Sequence, residues 1–421
     1  MSSDFLTHLN SAVAEFKKTV YLDELAAYPY PMQAPVYSMI PHNQSYVSDT
    51  VKWKLDLGTL DGISFESISL DSPVLEGDEA SVSMKKMYQT IEFDRFSMAI
   101  MKNPRASAID LAKKAIAKAS LERAKVLESI IVGSDSTGAI GTIDTAGVVD
   151  NGGGSYTCTI SAATWAYGQF RRRLMLNVGT SLDIFEITDI DDNNRKITIL
   201  RRSGGTKVPA AADILYRQRG KNNYPIGLKE IIEGTGDLHG VPRKHGWQSL
   251  KLDWTNEAIS EQKLLELFLK VHARSQEYPD MLLLSPAQMV RFQALVRDSS
   301  ISTREALVKR TGSGGEDNSF VIPNVNYLNL GGQSVKLLMH PDLPQGSGYF
   351  VNTNHLELVS VGPGEFVSPV SGDNNMLHMG NITGKDAYRM LWAYYYAIRT
   401  DMPGSHGGFT SAVSTLKDVS F

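Results

Sequence analysis

Covalent braces are nearly absent from this sequence: its 421 residues hold one cysteine, Cys158. A single thiol closes no intrachain disulfide, and no Cys/His cluster has zinc-ligand spacing, so the chain reads as one made for a reducing compartment. Long apolar runs are missing as well. None reaches the roughly 20 residues that a bilayer-spanning helix needs, and the apolar stretch AYRMLWAYYYAIRT is short and broken by arginine. The opening MSSDFLTHLNSAVAEFKKTV lacks the basic and continuous apolar regions of a signal peptide. Nor does one sign of charge dominate. With 42 Lys and Arg against 46 Asp and Glu, the net charge of -4 argues against a surface built throughout to hold nucleic acid.

Signatures of catalysis are equally scarce. The nine histidines form no HExxH pair, and no GxSxG elbow occurs. GNITGKD at 380–386 approaches a phosphate-binding loop, but it is one residue short between its glycines and carries Asp386 where a hydroxyl belongs. A structural turn is the better reading. DIDDNN at 189–194 begins like a calcium loop, yet Asn194 stands at the glycine position and Leu200 at that of the bidentate acid, so it reads as a polar hairpin tip. No catalytic, cofactor-binding or metal-binding residue is assigned.

What is present is periodicity in blocks. Phe5, Leu9, Val13, Phe16 and Val20 recur at helical spacing and predict a short amphipathic helix. YPYPMQAPVYSMIPHNQ, with four prolines, predicts an extended arm. VKWKLDLG and ISFESISL alternate, and Val82, Met84, Ile91, Phe93, Phe96, Met98 and Ile100 keep period two, so a long two-stranded excursion is expected over 50–103. An isolated hairpin is marginal in water, and this one calls for a partner surface.

PRASAIDLAKKAIAKASLERAKVLESIIVG, 104–133, is the strongest helix signal, with a narrow apolar stripe through Ile109, Ala112, Ile116, Ala119, Leu127 and Ile130. Beyond it, 134–225 reads as a small β-rich insertion. Within that region ISAATWAYGQFRRRLMLNVG is expected to be helical, and SLDIFEITDIDDNNRKITILRR a hairpin. EAISEQKLLELFLKVHARS predicts a helix with Ile259, Lys263, Leu264, Leu267 and Val271 inward. Met281–Leu284 predicts a buried strand and Ser285-Pro286 a helix start. Tyr388 to Ile398 reads as a buried strand.

Charge is unevenly placed. Residues 171–221 hold eleven Lys and Arg against six Asp and Glu, a local excess of +5 that leaves the remainder at -9. Arg171, Arg172 and Arg173 could meet nucleic-acid phosphates or form a solvated helix face, and Trp392 to Tyr396 could stack bases but suits a core strand better. DILYRQRGKNNYPIGLKEIIEG, 213–234, packs Arg217, Arg219, Lys221 and Lys229 into an apolar frame. Pro225 there sets a turn, and Leu228, Ile231 and Ile232 share one helix face.

The order of these parts resembles the major capsid proteins of tailed bacteriophages, the family with the HK97-type fold. The resemblance is carried by the arm, the hairpin SFESISLDSPVLEGDEASVSMKKMYQTIEFDRFSMAI, the long helix and the 213–234 stretch followed by GTGDLHGVPR. SQEYPDMLLLSPAQMVRF and HPDLPQGSGYFVN add to it. It implies an α+β fold divided into an N-terminal arm (1–49), extended hairpin loop (50–103), spine helix of a peripheral domain (104–133), β-rich insertion (134–225), peripheral segment (226–254), axial domain (255–362) and return strands with the C-terminus (363–421). It further implies a structural, non-enzymatic subunit of the virion. Such a subunit self-assembles into pentamers and hexamers of an icosahedral head around weakly held double-stranded DNA. It would be assembled in the host cytoplasm with a separate scaffolding protein, a portal and a decoration protein, and no membrane. Phe5, Leu9, Lys85, Lys86, Arg95, Arg217 and Arg219 are the expected assembly contacts. Two alternatives stay open: a two-lobed nucleotide-binding enzyme using Gly380 to Lys385, and a DNA-binding module over 171–221.

Overall fold

The computed structural model describes residues 35–56, 77–94, 107–244, 246–255, 257–298, 327–367, 377–378 and 387–412. In chain order its first elements are α1 (Pro35–Met39), β1 (His42–Asn43), β2 (Thr50–Asp56), β3 (Gly77–Ser83), β4 (Lys85–Asp94) and α2 (Ser107–Gly133). Six strands follow, β5 (Ala139–Gly152), β6 (Ser155–Ile160), β7 (Met175–Val178), β8 (Ile184–Asp191), β9 (Lys196–Ser203) and β10 (Ile214–Arg217), then α3 (Leu228–Glu233). Next come β11 (Leu250–Asp253), α4 (Glu261–Ser275), β12 (Met281–Leu284), α5 (Pro286–Asp298), β13 (Tyr327–Leu330), β14 (Gln333–Met339) and β15 (Gly348–Val351). The last are β16 (Leu356–Ser360), β17 (Glu365–Val367), β18 (Leu377–His378), β19 (Ala387–Thr400) and β20 (Gly407–Thr410). The fold is α+β, and the chain divides into two units.

The first unit gathers residues up to 51, 83–131 and 358–398. Its sheet runs β1-β16-β19-β17, with β18 and β4 also paired to β19. The predicted buried strand at 388–398 is the axis of this sheet: Met390, Trp392, Tyr394, Tyr396 and Ile398 are all buried. Gly364 is needed beside it, because a β-carbon there would fall 1.9 Å from the Trp392 ring. Of the two-stranded excursion expected over 50–103, β4 finds a partner surface within the chain, while 57–76 and 95–103 lie outside the described residues. From Lys85 to Asp94, β4 pairs antiparallel with Tyr396 to Ala387, which gives its period-two residues a sheet to lie on. The proline-rich arm also differs from expectation, since 35–39 is helical and Val36 and Ile40 are buried. Pro35 suits the first turn of a helix, where its missing N–H costs nothing.

In α2 the described side chains depart from a narrow stripe. Arg123, Ala124, Leu127, Glu128, Ser129, Ile130, Ile131 and Val132 are all buried, so the helix is enclosed on most sides toward its C-terminal end. The side chains at Ile109, Ala112 and Ile116, the 5–20 helix and the 63–70 strand lie outside the described residues.

The second unit holds a closed barrel, β10-β5-β6-β9-β8-β7, and a six-stranded sheet, β11-β20-β15-β12-β14-β13, together with the β2-β3 pair. Alternation builds the barrel: Tyr156, Cys158 and Ile160 of β6, Phe185 and Ile187 of β8, and Ile197 and Ile199 of β9 point inward. The β8-β9 hairpin is where the sequence places it. The helix expected over 160–179 is not, and its last residues form β7. Turns replace it, with Ser161 carbonyl oxygen accepting from the Thr164 and Trp165 amides, and Trp165 stacked on Phe170 at 5.2 Å inside the barrel core. Their spacing mimics a helix face while covering a barrel.

In the sheet, β12 is buried at all four positions, parallel to β14 and antiparallel to β15. Its helix α4 starts at Ser260, whose side chain accepts from the Lys263 amide, and ends at Gln276 in the left-handed region. Leu264, Leu267, Phe268 and Val271 face the core. Lys263, expected inward, instead pairs with Glu257 while lying over Trp254, and Phe268 takes the inward place. β20 joins this second sheet between β11 and β15 rather than prolonging the sheet of β19.

Candidate functional site

In the first unit, the buried Glu128 of α2 fixes the N-terminal segment. Its carboxylate accepts from the backbone N–H groups of Val36 at 3.0 Å and Tyr37 at 2.8 Å, donors that a helix start leaves free. His42 closes the segment through its Nε2 and the Tyr37 carbonyl oxygen, 2.7 Å apart, and burial holds the His42 pKa below its ordinary value against that bond.

Lys85 and Lys86 sit at the start of β4, opposite Tyr396 and Tyr395. Lys86 is exposed, with its Nζ 5.9 Å from the Tyr395 ring centroid, and Tyr88, 53% exposed, stands edge-on to the same ring. The aromatic run is therefore core on one side: Trp392 lies beneath the buried Arg123 guanidinium at 4.4 Å, and Tyr394 stacks on Tyr396. Stacked bases would find Tyr88 and Tyr395 there, not the whole run.

In the second unit, much of the excess positive charge of 171–221 is spent internally. Arg172 pairs with Asp189, Arg202 with Glu186 and Lys207 with Asp213. Arg171 donates to the Gly168 carbonyl oxygen, and Arg173 sits in the left-handed region at φ 66°. The triple arginine is thus a tight turn, not a helix face. The DIDDNN tip is closed by Asp191, which accepts from the Asn193 and Asn194 amides. Cys158 is buried in the barrel, where desolvation and the nearby Asp213 push its pKa up to about 12, leaving an inert thiol.

The 213–234 stretch is scaffold at both ends. β10 enters from the barrel, and Leu228, Ile231 and Ile232 of α3 are buried as expected. Ser134 replaces a side-chain cap: its carbonyl oxygen accepts from the Gly227 and Glu230 amides and its hydroxyl donates to the Pro225 carbonyl oxygen at 2.6 Å. Between these ends, Arg219 lies exposed at φ 57°, and its amide donates to Asn177 Oδ1 at 2.7 Å. Arg217 is buried.

Among the described residues, a histidine between two carboxylates is the arrangement that most resembles a chemical site. His355 Nε2 lies 2.5 Å from Glu277 and Nδ1 2.8 Å from Asp401, while Asn352 also donates to Glu277. Burial works against the charged ring, but the bonds to Asp401 and Glu277 outweigh it and hold the His355 pKa above its ordinary value. No nucleophilic side chain bonds to the His355 ring among the described residues. Beside it, His406 Nδ1 accepts from the Asn352 amide, and His239 Nε2 from the Thr400 amide at 3.4 Å. Burial keeps both rings neutral, pushing His406 down to about 4 and His239 to about 3, the latter also repelled by Arg243 and Arg399. Among the described residues no set of His, Cys, Asp and Glu is arranged to hold a metal ion, and no helix is long and apolar enough to cross a membrane.

Of the seven expected contact residues, Lys85, Lys86, Arg217 and Arg219 are described; Phe5, Leu9 and Arg95 lie outside the described residues, as does the Gly380 to Lys385 loop. The sequence reading missed Glu128 and His355, whose partners are 91 or 92 and 46 or 78 residues away. A lone acid inside a helix pattern and a lone histidine between strands give no local signal.

No family model and no curated protein matches the sequence. Solved structures do. The chain is similar to a subunit of the cyanophage A-1(L) capsid at 12% identity, covering 94% of this chain and 98% of that one with a TM-score of 0.50. It has the HK97-type capsid fold. Similarity extends at lower TM-scores to the capsid of a native GTA particle (0.46, 8% identity, 90% and 91% covered) and to the holo-SrpI encapsulin of Synechococcus elongatus PCC 7942 (0.43, 8% identity, 95% of each covered).

Proposed function

We propose that this chain is the major capsid protein of a tailed bacteriophage, a structural subunit that self-assembles into the pentamers and hexamers of an icosahedral head around double-stranded DNA. The observation that carries this reading is coverage: the likeness to the cyanophage capsid subunit runs through 94% of this chain and 98% of that one, so it is a likeness of the whole fold and not of one shared motif. In this reading α2 is the spine, the sheet around β19 the peripheral domain, the sheet around β12 the axial domain, and the barrel an insertion. Lys85 and Lys86, with Phe5, Leu9 and Arg95, contact neighbouring copies. Heterologous contacts of this kind close into rings by rotation. The internal pairing of the barrel cations supports weak, non-specific contact with DNA rather than a dedicated grip. A separate scaffolding protein, a portal and a decoration protein are the partners this role requires or allows. The chain acts as a wall, not as an enzyme.

Negative-stain electron microscopy of the purified chain, expressed alone and with the neighbouring genes of its source, tests the proposal. Closed shells or rings of five and six are expected; compact monomers under both conditions would refute it.

A further inference from the structure

Thr400, the last residue of β19, is wholly buried and is gripped from two sides by buried histidines. Its amide donates to His239 Nε2 at 3.4 Å, and its hydroxyl lies 3.2 Å from His406 Nε2. On the far side of the second ring, His406 Nδ1 accepts from the Asn352 amide at 3.2 Å. These contacts fix both tautomers, because a ring nitrogen that accepts from an amide carries no hydrogen. The His406 hydrogen therefore sits on Nε2 and is donated to the Thr400 hydroxyl. The His239 hydrogen sits on Nδ1, which is enclosed without an acceptor. A second proton on either ring would set an N–H against a backbone N–H in a buried site.

The surroundings oppose that proton. His239 faces Arg243 of its own loop and Arg399, whose guanidinium lies over the Trp53 ring of β2 and pairs with Glu357. Trp53 and Trp247 stand edge-on to the His239 ring, and β3 adds only the Ser81 amide, bonded to the His239 carbonyl oxygen. His406 faces His355 and Asp401, with Glu277 bonded to the other nitrogen of His355, and Arg274 of α4 runs beside Gly404 just before it. Asp401 favours a charged His406, but burial and the His355 charge outweigh it, as burial, Arg243 and Arg399 act at His239.

We infer that His239 and His406 form a pH-sensitive latch on Thr400, closed while both rings are neutral and opened by acid, which releases the 399–406 segment and the turn at Asn352 before the rest of the second unit's sheet loses its order. Release is local because β12, within that sheet, pairs with β14 and β15 without help from either ring. The latch belongs to the single chain and stands or falls apart from the shell reading.

Hydrogen exchange read by mass spectrometry on the full-length chain at pH 7 and pH 5, corrected for the intrinsic rate at each pH, tests it. With folded values near 4 for His406 and 3 for His239, proton uptake in the open form raises the opening constant about twentyfold per ring over that interval. His355, held charged, offsets part of this. Protection in peptides covering 349–356 and 398–407 should therefore fall about twentyfold or more, while β12 keeps its own. Unchanged protection in those two peptides overturns the inference. Equal loss in β12 does so too, since acid would then unfold the sheet as a whole. Glutamine keeps an acceptor oxygen and a donor nitrogen but takes up no proton. His406→Gln and His239→Gln should each remove about a twentyfold share of the loss, and the double variant should show no loss. A double variant that responds to acid as wild type does would assign the opening to other groups and overturn the inference. If a variant fails to fold, the wild-type comparison of the two peptides with β12 still decides.

Discussion

The Glu128 carboxylate bonds the backbone N–H of Val36 at 3.0 Å, joining the long helix to a segment 92 residues earlier in the chain. Tyr37 completes the pair at 2.8 Å, so one buried acid satisfies two donors that α1, with five residues, cannot satisfy itself. Glu128→Ala should cost about 3 kcal/mol, because it removes a charged acceptor and strands both donors. Glu128→Gln should cost less, since one carbonyl oxygen remains. Urea unfolding midpoints check both; a change in Glu128→Ala below about 0.5 kcal/mol would show that the segment is held by other contacts.

The three histidines of the second unit predict a signed pH dependence. His239 and His406 have folded pKa values near 3 and 4, below the unfolded value, so the unfolded chain binds protons first as pH falls. Stability is therefore present above pH 6.5 and lost on acidification, about 2 kcal/mol per ring between pH 7 and pH 5. His355 works in the opposite sense. Its raised pKa gives stability that is full below the unfolded value and lost as pH rises through the folded one. Unfolding measured at pH 7 and pH 5 should show a flatter profile for His239→Gln than for wild type, and a steeper loss on acidification for His355→Gln. Identical slopes in all three would contradict these assignments.

Gly364→Ala should destabilise the sheet around β19 by about 1 to 3 kcal/mol, because the added methyl group overlaps the Trp392 ring, which also carries the Arg123 guanidinium at 4.4 Å. Thermal melting followed by tryptophan fluorescence reads both the loss and the ring's displacement. A wild-type melting temperature with an unshifted spectrum would show that the close approach is wrong.

Phe185→Ala should open a cavity in the barrel and cost about 3 to 5 kcal/mol. Hydrogen exchange should rise first in 139–217, while amides of β12 and β15, which draw on a separate core, keep their protection. Uniform loss across both regions would mean that the barrel and the sheet unfold as one.

Legibility in the sequence followed the range of the forces. α4, the β8-β9 hairpin, the buried β12 and the Leu228, Ile231 and Ile232 face were readable because each is set by local spacing. The turn at 161–174 was not, because Trp165 and Phe170 are spaced like a helix face but bent by the barrel they cover. The fate of β4 was hidden for another reason: its partner β19 begins nearly 300 residues later, and only that pairing decides that Lys85 to Asp94 is sheet rather than a free arm. Glu128 and His355 became visible only when distant segments met.

The most direct measurement is a cryo-electron microscopy reconstruction of particles formed by this chain, expressed alone and with the neighbouring genes of its source. The capsid reading predicts a closed icosahedral shell whose asymmetric unit is built from copies of this chain at both fivefold and sixfold positions. A preparation that holds only monomers or irregular aggregates under both conditions would contradict it.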